Sequence, residues 1–318
     1  MINKILEEIK SSETILILTH KRPDGDAIGS VCALGLLLKS MEKKVQYVVD
    51  PMVSKKMKIG PEAIFFADTT DRYFDLVIAL DCADTDFLYG RELLKSAAKS
   101  IVIDHHVTNK NYGTFNYVKP AVAAVGEIIM DLYEAAKIGI GYEAASWLYL
   151  SLSTDTGNFR YSNVTAQTHL KAAKLFEIRN DFSAISQQME KYGMARLRYL
   201  ARVIEHIQLL CQNKVAVSYL ELKDYENKVM DEETDLHLQD MVNVLRNIED
   251  VEVSVFLKQE KPGAFKASMR SNGTIDVAKI AQRFGGGGHK KAAGCDINGE
   301  IQNIIASLKK EICAQNNL

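Results

Sequence analysis

Residues 14–30, TILILTHKRPDGDAIGS, leave a continuously apolar run and at once gather His20, Asp24 and Asp26 around a proline. The run ends in a Pro/Asp/Gly turn and continues as AIGSVCALGLLLKSME, apolar at helical spacing, so it reads as strand, turn, helix. The pattern repeats. VQYVV (45–49), LVIAL (76–80) and SIVI (100–103) are equally short and rich in Ile, Val and Leu, as strands buried on both faces of a parallel sheet read. FLYGRELLKSAAK (87–99) supplies a further helical pattern between them. The alternation predicts an α/β fold whose N-terminal domain is a parallel sheet with helices on both faces.

A mostly helical stretch runs from Ala121 to Leu175. Beyond it, residues 181–206 are polar and helical in pattern and are expected to form a helical linker between domains 1–180 and 207–318. In the latter, KVAVSYL (214–220), VEVSVFLK (251–258) and AFKASMRS (264–271) alternate apolar with polar, which predicts half-buried, mostly antiparallel strands. Helical patterns at 234–247, 275–283 and 299–313 complete a smaller α+β domain with a mixed sheet.

Composition narrows the class. The chain is 47% hydrophobic and 25% charged, as a globular protein is, and no apolar run reaches the roughly 18–20 residues of a membrane span. The start, MINKILEEIKSSET, reads as a short amphipathic helix rather than a signal peptide. Cysteines 32, 82, 211, 295 and 313 form no CxxC pair, so neither a disulfide framework nor a zinc cluster is expected, and the compartment expected is a reducing cytoplasm. A net charge of −2 argues against a grip on long nucleic acid, where phosphate neutralisation supplies most of the affinity.

The charged residues fall in a pattern. LTHKRPDGD, ALDCAD and IDHHVTN each follow an apolar run, and LSLSTDTGNFRY closes a helical stretch. In an open α/β sheet the carboxyl ends of neighbouring strands converge on one crevice. His20, Asp24, Asp26, Asp81, Asp104, His105 and His106 should meet there, joined by Asp155. Taken singly, an Asp after a strand is a cap or turn residue. Together, several carboxylates at reduced dielectric repel one another unless a counter-charge sits among them. Two divalent cations balance four aspartates. Imidazole with carboxylate and no thiolate suits manganese, or iron, cobalt or zinc, better than calcium, and magnesium prefers an all-oxygen shell. Two metals about 3.5–4 Å apart clamp the attacking and leaving oxygens of a phosphoryl group.

HKRPDGDAIGS, ALDCAD, IDHHVTN and STDTGNFRY resemble, in order, the four motifs of the DHH phosphoesterase superfamily, and FGGGGHKKAAG (284–294) resembles the signature of the DHH-associated domain. The resemblance implies a two-domain dimanganese phosphoesterase (Mg2+, Co2+ or another divalent metal remaining open) with substrate in the cleft between its domains. It implies His20, Asp24 and Asp81 at one metal, Asp26, Asp81, His105 and Asp155 at the other, and Asp81 as the bridge. Asp104 would orient a histidine, His106 would face the scissile phosphate, and a hydroxide between the metals would attack phosphorus.

The glycine run offers backbone N–H groups of Gly286, Gly287 and Gly288 to an anion, beside His289, Lys290 and Lys291. Arg270 and Ser268 on AFKASMRS, and Arg160 after Asp155, are further candidate substrate ligands. A second domain holding one end of the molecule that the first domain cuts would favour short substrates. Length and motif wording look most like the branch of the superfamily that degrades oligoribonucleotides of about two to five units and dephosphorylates pAp. Cyclic-di-AMP or linear dinucleotides are the alternative substrates, and a catalytically silent nucleotide sensor is the rival of another class. The expected partners are short RNA, pAp or dinucleotides, with no long duplex and no membrane, and the resemblance admits a homodimer.

Overall fold

The computed structural model describes residues 1–53, 67, 69, 70, 72–225, 238 and 241–316, in two compact units, Met1–Lys191 and Tyr192–Leu318. In the first, β1 (Thr14–Leu18), β2 (Lys44–Val48), β3 (Leu76–Leu80), β4 (Lys99–Asp104) and β5 (Phe115–Val118) form a parallel sheet in the order β2-β1-β3-β4-β5. The half-buried edge strand β5, FNYV, lacks the continuous apolar run that reveals the others.

Burial explains the apolar runs. Ile15, Ile17, Ile78, Ile101 and Ile103 point into a core shared with α1 (Ile2–Ser11), α2 (Gly25–Ser40), α3 (Val125–Ala136), α4 (Tyr142–Asp155) and α5 (Ala166–Ile178). Alternate residues Leu16, Leu18, Val77, Ala79 and Val102 form a second core on the opposite face, closed by Leu88 and Leu93. Among the described residues that face carries a 3-10 helix, Arg91–Ser96, rather than the longer helix that FLYGRELLKSAAK suggests. Gly90 in the left-handed region (φ 67°) ends the segment before it, and Leu88 is spent on a bridge to His20.

α2 and α4 lie against each other so closely that a Cβ on Gly29 would come within 2.4 Å of the Trp147 carbonyl oxygen. This approach brings the first turn of α2 beside the C-terminal half of α4, which matters for Asp26 below.

The linker stretch holds α6 (Ser183–Glu190) and α7 (Met194–Glu205). α7 buries Tyr199 and Val203 with Ala216, Leu220, Met241 and Phe256 of the second unit. There, β6 (Gln208–Leu210), β7 (Val215–Leu220), β8 (Val253–Lys261), β9 (Ala264–Ser271), β10 (Gly287–His289) and β11 (Ala292–Asn298) form a mixed sheet in the order β10-β11-β9-β8-β7-β6, antiparallel except for β7 with β8. Helices Val277–Arg283 and Ile301–Asn316 cover one face. Part of the helical pattern expected at 234–247 lies outside the described residues; Met241–Arg246 is helical.

The cysteine expectation needs correcting. Cys211, in the turn after β6, is bonded to Cys313 on the last helix, 102 residues away and with Cα atoms 6.4 Å apart. A pairing that spans a whole unit leaves no trace in local spacing. No described helix is long and apolar enough to cross a membrane.

Candidate metal centre

β1, β3 and β4 are parallel neighbours, so the residues that follow them emerge at one edge. His20 follows β1. Its Nδ1 lies 2.8 Å from the Lys21 carbonyl oxygen, which can only accept, so the proton sits on Nδ1 and Nε2 carries a lone pair. That lone pair faces carboxylate oxygens of Asp24 at 3.9 Å and Asp81 at 3.8 Å. His105 repeats the arrangement: Nδ1 lies 3.4 Å from the Val122 carbonyl, and Nε2 faces Asp155 at 3.4 Å, Asp81 at 3.6 Å and Asp26 at 4.0 Å. Each Nε2 thus faces two or more carboxylates at 3.4–4.0 Å, an arrangement that a cation placed between them would satisfy.

Asp81 lies between the two gaps. It follows β3 with a left-handed backbone (φ 53°), its N–H donates to the Ile103 carbonyl at 3.0 Å, and it is 2% exposed. One oxygen faces His105 and the other faces His20. The Oδ1 atom is buried with no hydrogen-bond partner, a costly state for a carboxylate oxygen that a bound cation would relieve.

Asp26, fully buried in the first turn of α2, shows the opposite pattern. Its Oδ1 accepts from Ser30 Oγ at 3.0 Å and Ser151 Oγ at 2.5 Å, and its Oδ2 from the Val125 N–H at 2.7 Å. The N-terminus of α3 and the α2–α4 approach thus fix this carboxylate and aim it at His105, while burial, only partly offset by His105 and these hydrogen bonds, pushes it above the ordinary carboxylate range. Asp24 is the N-cap of α2, accepting from the Ala27 N–H at 3.0 Å.

Asp104, at the end of β4, is fully buried and saturated with donors. Its Oδ1 accepts from the His105 N–H at 2.8 Å and lies 2.8 Å from His106 Nδ1, while Oδ2 accepts from Asn109 Nδ2 at 2.5 Å. Burial works against its charge, but the bonds from His106 and Asn109 hold it below the usual carboxylate range. The bond to Asp104 in turn raises His106 above an ordinary histidine. The partner of Asp104 is therefore His106, whose side chain is 47% exposed, rather than His105.

Electrostatics argues for a counter-charge. Burial, then the charges of Asp26, Asp24, Asp155 and Asp104, drive Asp81 well above its normal range. Burial, then Asp26 and Asp24, push Asp155 up to about 8. Two sets, His20 with Asp24 and Asp81, and Asp26 with His105 and Asp155, each bring their ligand atoms within 4.8 Å of one another. The donor set, its crowding and the orphaned Asp81 oxygen fit two divalent cations.

The second unit gathers the other candidates on one face. Gly294 pairs with Ser268 and with Gly287; Ala292 pairs with Arg270 and with His289. Directly opposed residues share a face, so Ser268–Gly294–Gly287 and Arg270–Ala292–His289 form two parallel rows across three strands. The face is the one opposite the core of Ala267, Met269, Ala293 and Cys295. The glycine run is thus partly an edge strand rather than only a loop. A Cβ on Gly286 would lie 2.2 Å from the Gly294 carbonyl, and one on Gly288 (φ 142°) 2.5 Å from that of Ala292; one on Gly287 would meet nothing. Arg160, exposed, folds back so that Nε donates to the Gly157 carbonyl at 2.7 Å.

Sequence reasoning assigned no part to Asn109, Ser30 or Ser151. A local signal existed for Ser30, which lies one helical turn after Asp26, whereas Ser151 reaches Asp26 from 125 residues away.

Residues 14–152 match the DHH family N-terminal domain and residues 212–314 the DHHA1 domain. The chain is 30% identical over 316 residues, 97% of its own length and 93% of the relative's, to a bifunctional oligoribonuclease and PAP phosphatase, NrnA, of Thermus thermophilus. It is 24% identical over 314 residues to the cyclic-di-AMP phosphodiesterase GdpP of Geobacillus thermodenitrificans, covering 92% of this chain and 46% of that one. An exopolyphosphatase-related protein from Bacteroides fragilis shares the fold, with a TM-score of 0.82 at 23% identity over 98% of this chain and 95% of that one.

Proposed function

The chain belongs to the DHH family of phosphoesterases, and on that premise we propose that it hydrolyses short oligoribonucleotides to mononucleotides and removes a phosphate from pAp. The observation that carries the reading is Asp81, whose two oxygens face two separate histidine–aspartate sets. In this reading His20, Asp24 and Asp81 hold one cation, and Asp26, Asp81, His105 and Asp155 the other. The donor chemistry favours Mn2+. The cations supply Lewis-acid activation of water and charge stabilisation of the leaving oxygen.

The chain's own residues do the rest. Asp26, anchored by Ser30, Ser151 and the α3 N-terminus, keeps its position while substrate enters. Asp104 holds His106 by Nδ1, which turns Nε2 outward as the group that donates a hydrogen bond or a proton to the phosphate oxygens. No side chain of the centre is needed as a nucleophile. Arg270, Ser268, His289 and the N–H groups of the glycine run bind the remaining phosphate and sugar, domain 207–318 serving as the substrate-binding part and 1–180 as the catalytic part. A location in the cytoplasm is part of the same proposal.

The similarity to GdpP supports a second reading, in which a cyclic or linear dinucleotide is preferred. Purified protein, with Mn2+ or chelator, is offered 5′-labelled RNAs of two to twenty-four nucleotides, pAp and cyclic di-AMP. Mn-dependent loss of the shortest RNAs and of pAp, with long RNA slow, is the expected result. Preference for the cyclic dinucleotide favours the second reading, and binding without any hydrolysis overturns both.

A further inference from the structure

Immediately after Asp155 the chain makes an uncommon turn. Gly157, Asn158 and Phe159 are consecutively left-handed (φ 56°, 58° and 62°), a conformation L-residues avoid and functional sites retain. The turn is tightly built: Asn158 N–H donates to the Ser153 carbonyl at 2.7 Å, Phe159 N–H to Thr156 Oγ1 at 2.9 Å, and Tyr161 N–H to the Thr156 carbonyl at 3.0 Å. Asn163 Nδ2 donates to the Asp155 carbonyl at 2.9 Å, tying the end of the turn to the candidate ligand. Phe159 turns inward, with its ring 5.6 Å from that of His169 and 6.2 Å from that of Tyr149.

Tyr161 does the reverse. It is 54% exposed, although a tyrosine kept for packing buries its ring. The ring nevertheless has one defined position, since it lies across the backbone of Gly157: a Cβ there would be 2.3 Å from Tyr161 Cζ. Among the described residues its hydroxyl makes no hydrogen bond. A rigid aromatic plane, open to solvent and lying over Gly157, two residues after Asp155, is what stacking on a nucleobase requires.

We propose that Tyr161 is the platform on which the nucleobase next to the cleaved phosphate stacks, and that the left-handed turn exists to hold it there. The proposal rests on the nucleotide-hydrolase reading and adds to it a residue that selects substrates carrying a base. Ordinary phosphate esters without a base gain nothing from it.

The test compares pApA with analogues in which one residue or the other is abasic, hydrolysed by wild type, Tyr161→Ala and Tyr161→Phe in Mn2+. In Tyr161→Ala the ratio of kcat/KM for pApA to that for one of the abasic analogues falls about five- to hundredfold, the range for one lost base–aromatic stack, and the change lies in KM. Tyr161→Phe restores the ratio. Equal losses on pApA and both abasic analogues, or no loss at all, overturn the proposal. If wild type hydrolyses none of these, the hydrolase reading fails separately, and AMP binding decides for Tyr161: weaker binding to Tyr161→Ala sustains the platform, equal binding removes it.

Discussion

Asp104 Oδ1 lies 2.8 Å from His106 Nδ1, and the same oxygen accepts the backbone N–H of His105. One buried carboxylate thus sets the turn that carries both histidines and the proton position of the second. Replacing Asp104 with Asn keeps the shape but places an amide where the charge was, so His106 loses its raised proton affinity and its fixed tautomer. Asp104→Asn is expected to lower kcat by about 10²- to 10⁴-fold, the usual range for loss of general acid–base help, while Mn2+ stoichiometry stays as in wild type. Steady-state kinetics beside metal titration checks this; loss of metal in step with activity would contradict it.

The crowded aspartates make the metal-free protein pH-sensitive. Burial, then Asp26 and Asp24, raise Asp155 to about 8 from an ordinary value of 3.8, and Asp81 shifts in the same direction. Between these values the native state keeps protons that the unfolded chain has released, so unfolding free energy falls as pH rises through the window. Thermal unfolding in chelator should therefore show a Tm lower at pH 8 than at pH 6, by roughly several degrees, and Mn2+ should raise Tm more at pH 8. A chelated protein that gains stability over that range runs against the account.

Neighbouring glycines of the run should fail differently. Gly286→Ala forces a methyl to within 2.2 Å of the Gly294 carbonyl and is expected to destabilise the β10–β11 edge, seen as a lowered Tm. At Gly287 the added methyl meets no protein atom. Gly287→Ala should keep wild-type Tm yet raise KM for short RNA by about tenfold, because the methyl occupies the face shared with Ser268 and Arg270. An unchanged KM would remove Gly287 from the substrate face.

Much of this was legible because β1, β3 and β4 each announce themselves twice, first as an apolar run and then as the charge after it. Thr14–Leu18 followed by His20, Asp24 and Asp26 is the plainest case. β5 escaped because an edge strand need not be apolar throughout, and FLYGRELLKSAAK misled because helical spacing survives in a segment that Gly90 breaks. The acidic and histidine positions that the fold brings together could be read from the charges after the strands. The residues that hold them could not: Ser151 donates to Asp26 from 125 residues away, and Asn109 reaches Asp104 through a turn that only the fold closes. The bond between Cys211 and Cys313 was hidden for the same reason.

The proposed function stands or falls on whether Asp81 joins two cations in one centre. Titration of the metal-free protein with Mn2+, followed by electron paramagnetic resonance, measures it most directly. Two Mn2+ per chain are expected, with the exchange-coupled spectrum of ions about 3.5–4 Å apart, and loss of that coupling in Asp81→Asn. A single Mn2+ per chain, or two uncoupled ions unaffected by Asp81→Asn, would contradict it.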